Sequence, residues 1–226
     1  MILAGVFRPI LAGATARDRI VACLGALIGI AATGLVSRWL MPGQETPALM
    51  LTASIGASAV LVFAVPASPL AQPWPVIGGC VISALSGILA SRLIGDPMVA
   101  GAVAVALAIA AMSMARCLHP PGGGVALTAV LGGPEVFDAG AAFALVPAGL
   151  NAALLVGAAW LFHRVSGHDY PHRPAPMAAP ESPAISKADI DLALSDLGEA
   201  LDVSRDDLRV IAQSAADHAA KRVTRP

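Results

Sequence analysis

The 226 residues are 57% hydrophobic and only 13% charged, with a mean hydropathy of +0.75. A soluble domain carries about 25% charged residues, so a water-soluble globular fold is excluded and an integral membrane protein is expected. The net charge is −1 with no basic cluster, which removes nucleic acid as a partner.

Charge is also segregated along the chain. Residues 46–91 and 139–162 hold no Asp, Glu, Lys or Arg, whereas the stretch after Ser186 is dense in Asp, Lys and Arg. The pattern divides the chain into a transmembrane domain over 1–165, a Pro-rich linker over 166–185 and an aqueous segment over 186–226. The apolar residues 2–11 precede Arg17, Asp18 and Arg19. That order is wrong for a cleavable signal peptide and places them at the interface.

Five stretches are long enough to cross about 30 Å of hydrocarbon at 1.5 Å per residue: 20–40, 48–65, 75–94, 97–117 and 140–162. Their interiors are rich in Gly, Ala and Ser, as in "IGASA" and "SALSGILAS", which lets helices approach closely where lipid gives them no hydrophobic drive to associate. Cys23, Cys80 and Cys117 fall in these segments without a CxxC or Cys/His spacing. They read as small apolar packers, so no disulfide, metal or cofactor is expected.

Arg8, Arg17 and Arg19 precede the first span, and His163, Arg164 and Arg173 follow the last. Both termini are therefore expected in the cytoplasm, with an even number of crossings. Five spans are odd. A half-helix over 122–132, leading to the outward-suited acids Glu135 and Asp138, would make six; a re-entrant loop entering and leaving on one side would keep five.

The segment "HPPGGG" at 119–124 stands at that point. Pro120 and Pro121 lack backbone donors, and Gly122, Gly123 and Gly124 permit conformations other residues avoid, so the helix breaks. In hydrocarbon such a break is tolerated only where protein buries it or a wet cavity bathes it. A half-helix starting there would aim N–H groups and a positive dipole end at the break, beside Arg116 and His119. These groups describe an anion site, and His119 could also carry a proton. Under the plainer reading, Arg116 snorkels to the interface and 119–124 is a loop between spans.

A second interrupted stretch, 65–80, holds Pro66, Pro69, Pro73 and Pro75, then Gly78 and Gly79, with no charge. It is expected to dip inward, present Ser68 and Gln72, and meet the first break near the midplane, as in broken-helix transporters. Ser54 and Ser58, four apart on one helical face, and Asn151 either line the same route or serve packing and helix-to-helix bonding. After the linker, Ser186 with Asp189 and Ser204 with Asp207 mark two helix starts, predicting a cytosolic helical hairpin.

The segments 56–79, 119–124, the Pro147 to Asn151 stretch and "YPHR" at 170–173 together resemble the HPP family of integral membrane proteins. The resemblance covers nearly the whole chain and implies four or five membrane helices. Plant chloroplast relatives are associated with nitrite transport, which makes nitrite the first candidate among small anions. Many bacterial members continue into paired cystathionine-β-synthase domains. The tail after Ser186 resembles the segment preceding that pair, which is not found before Pro226. Cys80 departs from the family pattern, which commonly has histidine there.

The expected protein is thus an all-α polytopic bundle of five long spans with broken or half-helix elements and a short cytosolic helical hairpin. It would sit in a bacterial-type inner (plasma) membrane as a homo-oligomer, the dimer favoured, and pass a small monovalent anion. The rival is a membrane-anchored sensor or scaffold acting through the tail. No Ser/His/Asp set or acidic pair surrounds His119 in sequence, so an enzyme is not expected.

Overall fold

The computed structural model describes residues 16–42, 51–176, 183–197 and 201–223, and these form helices and connections with no strand among them. In chain order the membrane part contains α1 (Ala16–Leu40), α2 (Ser54–Ala64), α3 (Pro73–Leu93), α4 (Pro97–Met114), α5 (Gly122–Leu131), α6 (Pro134–Ala139) and α7 (Leu150–Ser166). A kinked π-helical stretch, Ala144–Gly149, leads into α7, with Pro147 inside it and Val146 off helical geometry. The tail supplies the predicted hairpin as α8 (Lys187–Leu197) and α9 (Arg205–Val223).

Four helices are long and apolar enough to cross a membrane: Ala16–Leu40, Pro73–Leu93, Pro97–Met114 and Ala144–Ser166. Large apolar side chains such as Leu27, Leu35, Leu93 and Leu161 stand exposed on them, as lipid-facing positions should. The fifth expected span, 48–65, is corrected: among its described residues, 51–65, the helix is Ser54–Ala64, 11 residues, and 43–50 lie outside the described residues. It stops where Pro66 disfavours a helical predecessor. Just before its start, the Thr52 N–H donates 3.0 Å to Asn151 Oδ1, so that backbone donor is satisfied by a side chain.

Small residues set the packing. In α1, Gly25, Gly29, Thr33 and Ser37 are buried at intervals of four, one face of a helix. Phe63 of α2 fills the gap left at Gly29, where an added Cβ would lie 2.5 Å from the ring. In α4, Pro97 opens the helix and the Asp96 carboxylate accepts from the N–H groups of Met98 and Val99, both at 2.9 Å. That N-cap ends the Ile94–Asp96 connection and turns α4 back antiparallel to α3.

Side-chain contacts fix the direction of every helix. Trp74 Nε1 donates 3.1 Å to Ala115 O, placing the end of α4 beside the start of α3. Arg92 Nη2 donates 2.6 Å to Phe137 O, placing the chain beyond α5 beside the end of α3. Residues 116–137 therefore travel the whole length of α3, entering at one end and leaving at the other. Asn151 Nδ2 to Ser37 Oγ at 3.1 Å, and Asp18 Oδ1 to His168 Nε2 at 3.7 Å, align α1 and α7 antiparallel. His163 Nε2 donates 3.0 Å to Val62 O, running α2 alongside α7 in the same direction.

Let the first end be where α1 starts and the second end where α3 stops. The directions then read first to second for α1, inward to first for α2 and first to second for α3. For the next three they read second to first for α4, inward to second for α5 and second to first for α7. The second trio is the first turned over, an inverted repeat of long, short and long helices. Each short helix begins inside the bundle and runs to one of its ends, and α1 begins at the end where α7 stops.

Candidate functional site

The break opens with the end of α4. Arg116 adopts φ +53, the left-handed position after a helix where glycine is the usual residue. The Cys117 N–H then reaches back 2.9 Å to Met112 O. The chain turns inward, and Gly79 lets it do so: a Cβ on Gly79 would lie 2.6 Å from His119 Cβ and 2.9 Å from Cys117 O. At Gly122 a Cβ would collide with Ser83 Oγ. Because Ser83 is the central residue of α3, α5 starts level with the middle of that helix.

Its ten residues extend about 15 Å, roughly half the hydrocarbon thickness. Ser54, the first residue of α2, lies opposite, with its Cβ 3.4 Å from the Cβ position of Gly124. The two short helices thus begin side by side at mid-depth and run to opposite ends. Their partially positive N-termini converge. A groove of about 430 Å³ opens between them, lined by Ser54, Ala57, Leu61, Pro120, Pro121 and Gly124.

His119 is fully buried beneath this junction. Its Nδ1 lies 2.9 Å from Leu70 O. A carbonyl only accepts, so Nδ1 carries hydrogen, and Nε2 of the neutral ring accepts from Ser58 Oγ at 2.8 Å. The Ser58 hydroxyl also lies 3.3 Å from Ser54 O. Protonation of His119 would make Nε2 a donor to Ser58 and release the Ser58 hydrogen to Ser54 O. The geometry thus offers the imidazole and the hydroxyl a hydrogen-bond partner in either protonation state.

A polar track continues from this pair. Ser54 Oγ donates 3.4 Å to Thr52 Oγ1, and Asn151 links Thr52 N–H to Ser37 Oγ through the 3.0 and 3.1 Å bonds described above. Ser37, Thr52, Ser54, Ser58, His119 and Asn151 are all buried. A continuous line of polar groups therefore runs inside an apolar bundle.

The expected residues distribute as follows. His119, Pro120, Pro121, Gly122, Gly124, Ser58 and Gly79 gather at the junction, and Gly123 continues the first turn of α5. The N–H groups of Gly122, Gly123 and Gly124 donate to the carbonyls of His119, Pro120 and Pro121 at 2.8, 3.1 and 3.0 Å. They contribute through the helix dipole rather than as free donors. Arg116 is exposed at the first end. Asn151 serves as a bond between helices.

The expected meeting of 119–124 with 66–79 is made by Leu70 and Gly79, while Ser68, Gln72 and Gly78 are placed elsewhere. Ser68 and Gln72 lie at the first end, where Gln72 Nε2 donates to Pro66 O and Ser68 O at 2.9 and 2.8 Å. Gly78 abuts Trp74 of its own helix. Gly79, and Leu70 through its carbonyl, touch the break. Its counterpart is the start of α2, around Thr52 and Ser54. Sequence reasoning missed Thr52 and weighed Ser54 only as a hydroxyl or packing position four residues before Ser58; the signal available was an isolated Thr-x-Ser ahead of "IGASA", matching a helix start in an otherwise apolar run.

Comparison with known proteins adds a lineage. The family model described as "HPP, transmembrane region" matches residues 12–171. One transmembrane protein of Dictyostelium discoideum is 40% identical over 112 residues, covering 48% of this chain and 35% of the relative. A second from the same organism is 45% identical over 87 residues, covering 37% of this chain and 30% of the relative. This chain spans about a third of the length of these curated relatives. No solved structure matches it.

Proposed function

The chain belongs to the HPP family of membrane proteins, and from that premise we propose that it carries a small monovalent anion, nitrite first among candidates, past the junction of α2 and α5. The observation that supports this reading is the meeting of two oppositely directed short helices at mid-depth beside a buried histidine. An inverted repeat with its polar site where interrupted helices begin is the architecture of many secondary transporters. Two helix N-termini, each worth about half a positive charge, favour an anion between them.

In this reading Arg116 draws the anion to the first end, and the dipole ends hold it in the groove. His119 exchanges a proton with it, Ser58 pairing with the ring in either state. The first end faces the cytoplasm, since Arg17, Arg19 and Arg164 lie there. The membrane is a bacterial-type plasma membrane and the working unit a homo-oligomer. Anion flux into vesicles tests the reading, with nitrite, nitrate, formate and chloride compared for the native chain, Arg116→Gln and His119→Ala. Flux should fall at least tenfold in His119→Ala, and in Arg116→Gln the loss should shrink as salt screens the charge. A well-inserted native protein that passes none of the four anions would refute it, leaving the tail-borne sensor or scaffold.

A further inference from the structure

The tail reaches the buried imidazole through a short chain of hydrogen bonds. Asp202, between α8 and α9, accepts from Ser68 Oγ at 2.7 and 3.0 Å. The Ser68 oxygen also accepts from the Leu70 N–H at 3.1 Å, capping the 3₁₀ turn Pro69–Ala71. Leu70 O in turn receives the His119 Nδ1 hydrogen. Three hydrogen bonds therefore separate an exposed carboxylate from a fully buried ring. A parallel attachment lies alongside: His172 Nε2 is 3.0 Å from the Asp207 carboxylate, and its backbone N–H donates 2.9 Å to Gln72 Oε1.

The apolar part of this docking is loose. A cavity of about 540 Å³ remains between Pro69 and the tail residues Leu194, Leu201, Val203 and Leu208. With little close packing there, the polar bonds decide whether the hairpin stays on the turn. Charge-assisted bonds are the stronger kind, and Asp202 supplies one directly to the turn that orients His119.

We propose that Asp202 is a positioning residue for His119 and that the α8 and α9 hairpin is a latch on the transport path. The latch rests on the transport reading above. Docked, the hairpin fixes the Leu70 carbonyl and holds the imidazole between Leu70 O and Ser58. Undocked, the turn relaxes, the ring leaves this closed arrangement and anion passes faster.

The test uses the full chain in vesicles, comparing native protein with Asp202→Ala and Asp202→Asn. Nitrite flux is read together with ¹⁵N NMR of histidine-labelled protein, the His119 signals being assigned with His119→Gln. Asp202→Ala should move the His119 ring resonances and raise flux about tenfold, the shift in docking expected from losing one hydrogen bond to a charged acceptor. Asp202→Asn retains an acceptor for Ser68 and should keep both readouts near native. Unmoved His119 resonances in Asp202→Ala overturn the proposal, as do moved resonances with native flux. Moved resonances in a protein that passes no anion in any form uphold the link from Asp202 to His119 and reject the transport reading instead.

Discussion

Replacing Gly79 with alanine should damage the break from a distance. The new Cβ would stand 2.6 Å from His119 Cβ, about 1 Å closer than carbon atoms pack comfortably. The Cys117 carbonyl at 2.9 Å blocks retreat on the other side. Overpacking of this kind costs about 1–3 kcal/mol, against about 0.5–1 kcal/mol regained from alanine's better helix propensity. A net loss of about 1–2 kcal/mol lowers the melting temperature by about 2–8 °C for a domain of this size. Relief requires His119 to move, lengthening its 2.9 Å bond to Leu70 O, so the ring leaves its closed arrangement and anion flux should rise as stability falls. Gly56→Ala is the paired control. It sits in α2 with nothing within 4 Å of its Cβ position and should stabilise slightly. Thermal unfolding of the purified protein by intrinsic tryptophan fluorescence, with flux in parallel, reads both. Equal melting temperatures for the two variants would refute the close approach of Gly79 and His119.

Two further outcomes follow from the same reasoning. Asn151→Ala strips the buried Thr52 N–H of its acceptor and should cost about 2–3 kcal/mol; an unchanged melting temperature would mean that Thr52 finds another partner. Tyr170 Oη donates 2.9 Å to Ala71 O, and burial pushes its phenol above the ordinary value of about 10. Its contribution to stability is whole below about pH 10 and is lost as pH rises beyond, because the unfolded chain releases that proton first. Tyr170→Phe should therefore cost about 1 kcal/mol at neutral pH and flatten the decline above about pH 10. Melting curves of both forms across that range check the sign.

Much of this architecture was legible. Apolar length and segregated charge marked the four long helices, and Pro120 with Pro121 marked the interruption before Gly122, because a missing donor and a fixed φ act locally. The half-helix after it was readable for the same reason. The shortness of α2 was not, since apolar composition continues through 48–65 and the backbone donor just upstream is satisfied by Asn151, 99 residues away. The break does meet 66–79 through Leu70 and Gly79, but its second neighbour, the start of α2, was harder to read. Proline density drew attention to 66–75, whereas the inverted counterpart opens at Ser54 with no proline at its first turn. Arg116 was read by charge alone, and its left-handed backbone depends on how α4 terminates. That Asp202 connects to His119 depends on docking between remote segments, which no local pattern encodes.

The opposed directions of α2 and α5 have an electrical consequence. Their dipoles lie tail to tail across the bilayer, so the pair is close to a linear quadrupole, positive at the centre and with little net moment along the membrane normal. The energy of such a pair in a transmembrane voltage is close to zero, although a single half-helix would gain or lose energy with its orientation in the field. Voltage dependence must then arise from the charge that moves, at about 2.3 kcal/mol per elementary charge per 100 mV. An anion accompanied by a proton would cross as a neutral unit and feel none of it. An anion crossing alone would feel it in full.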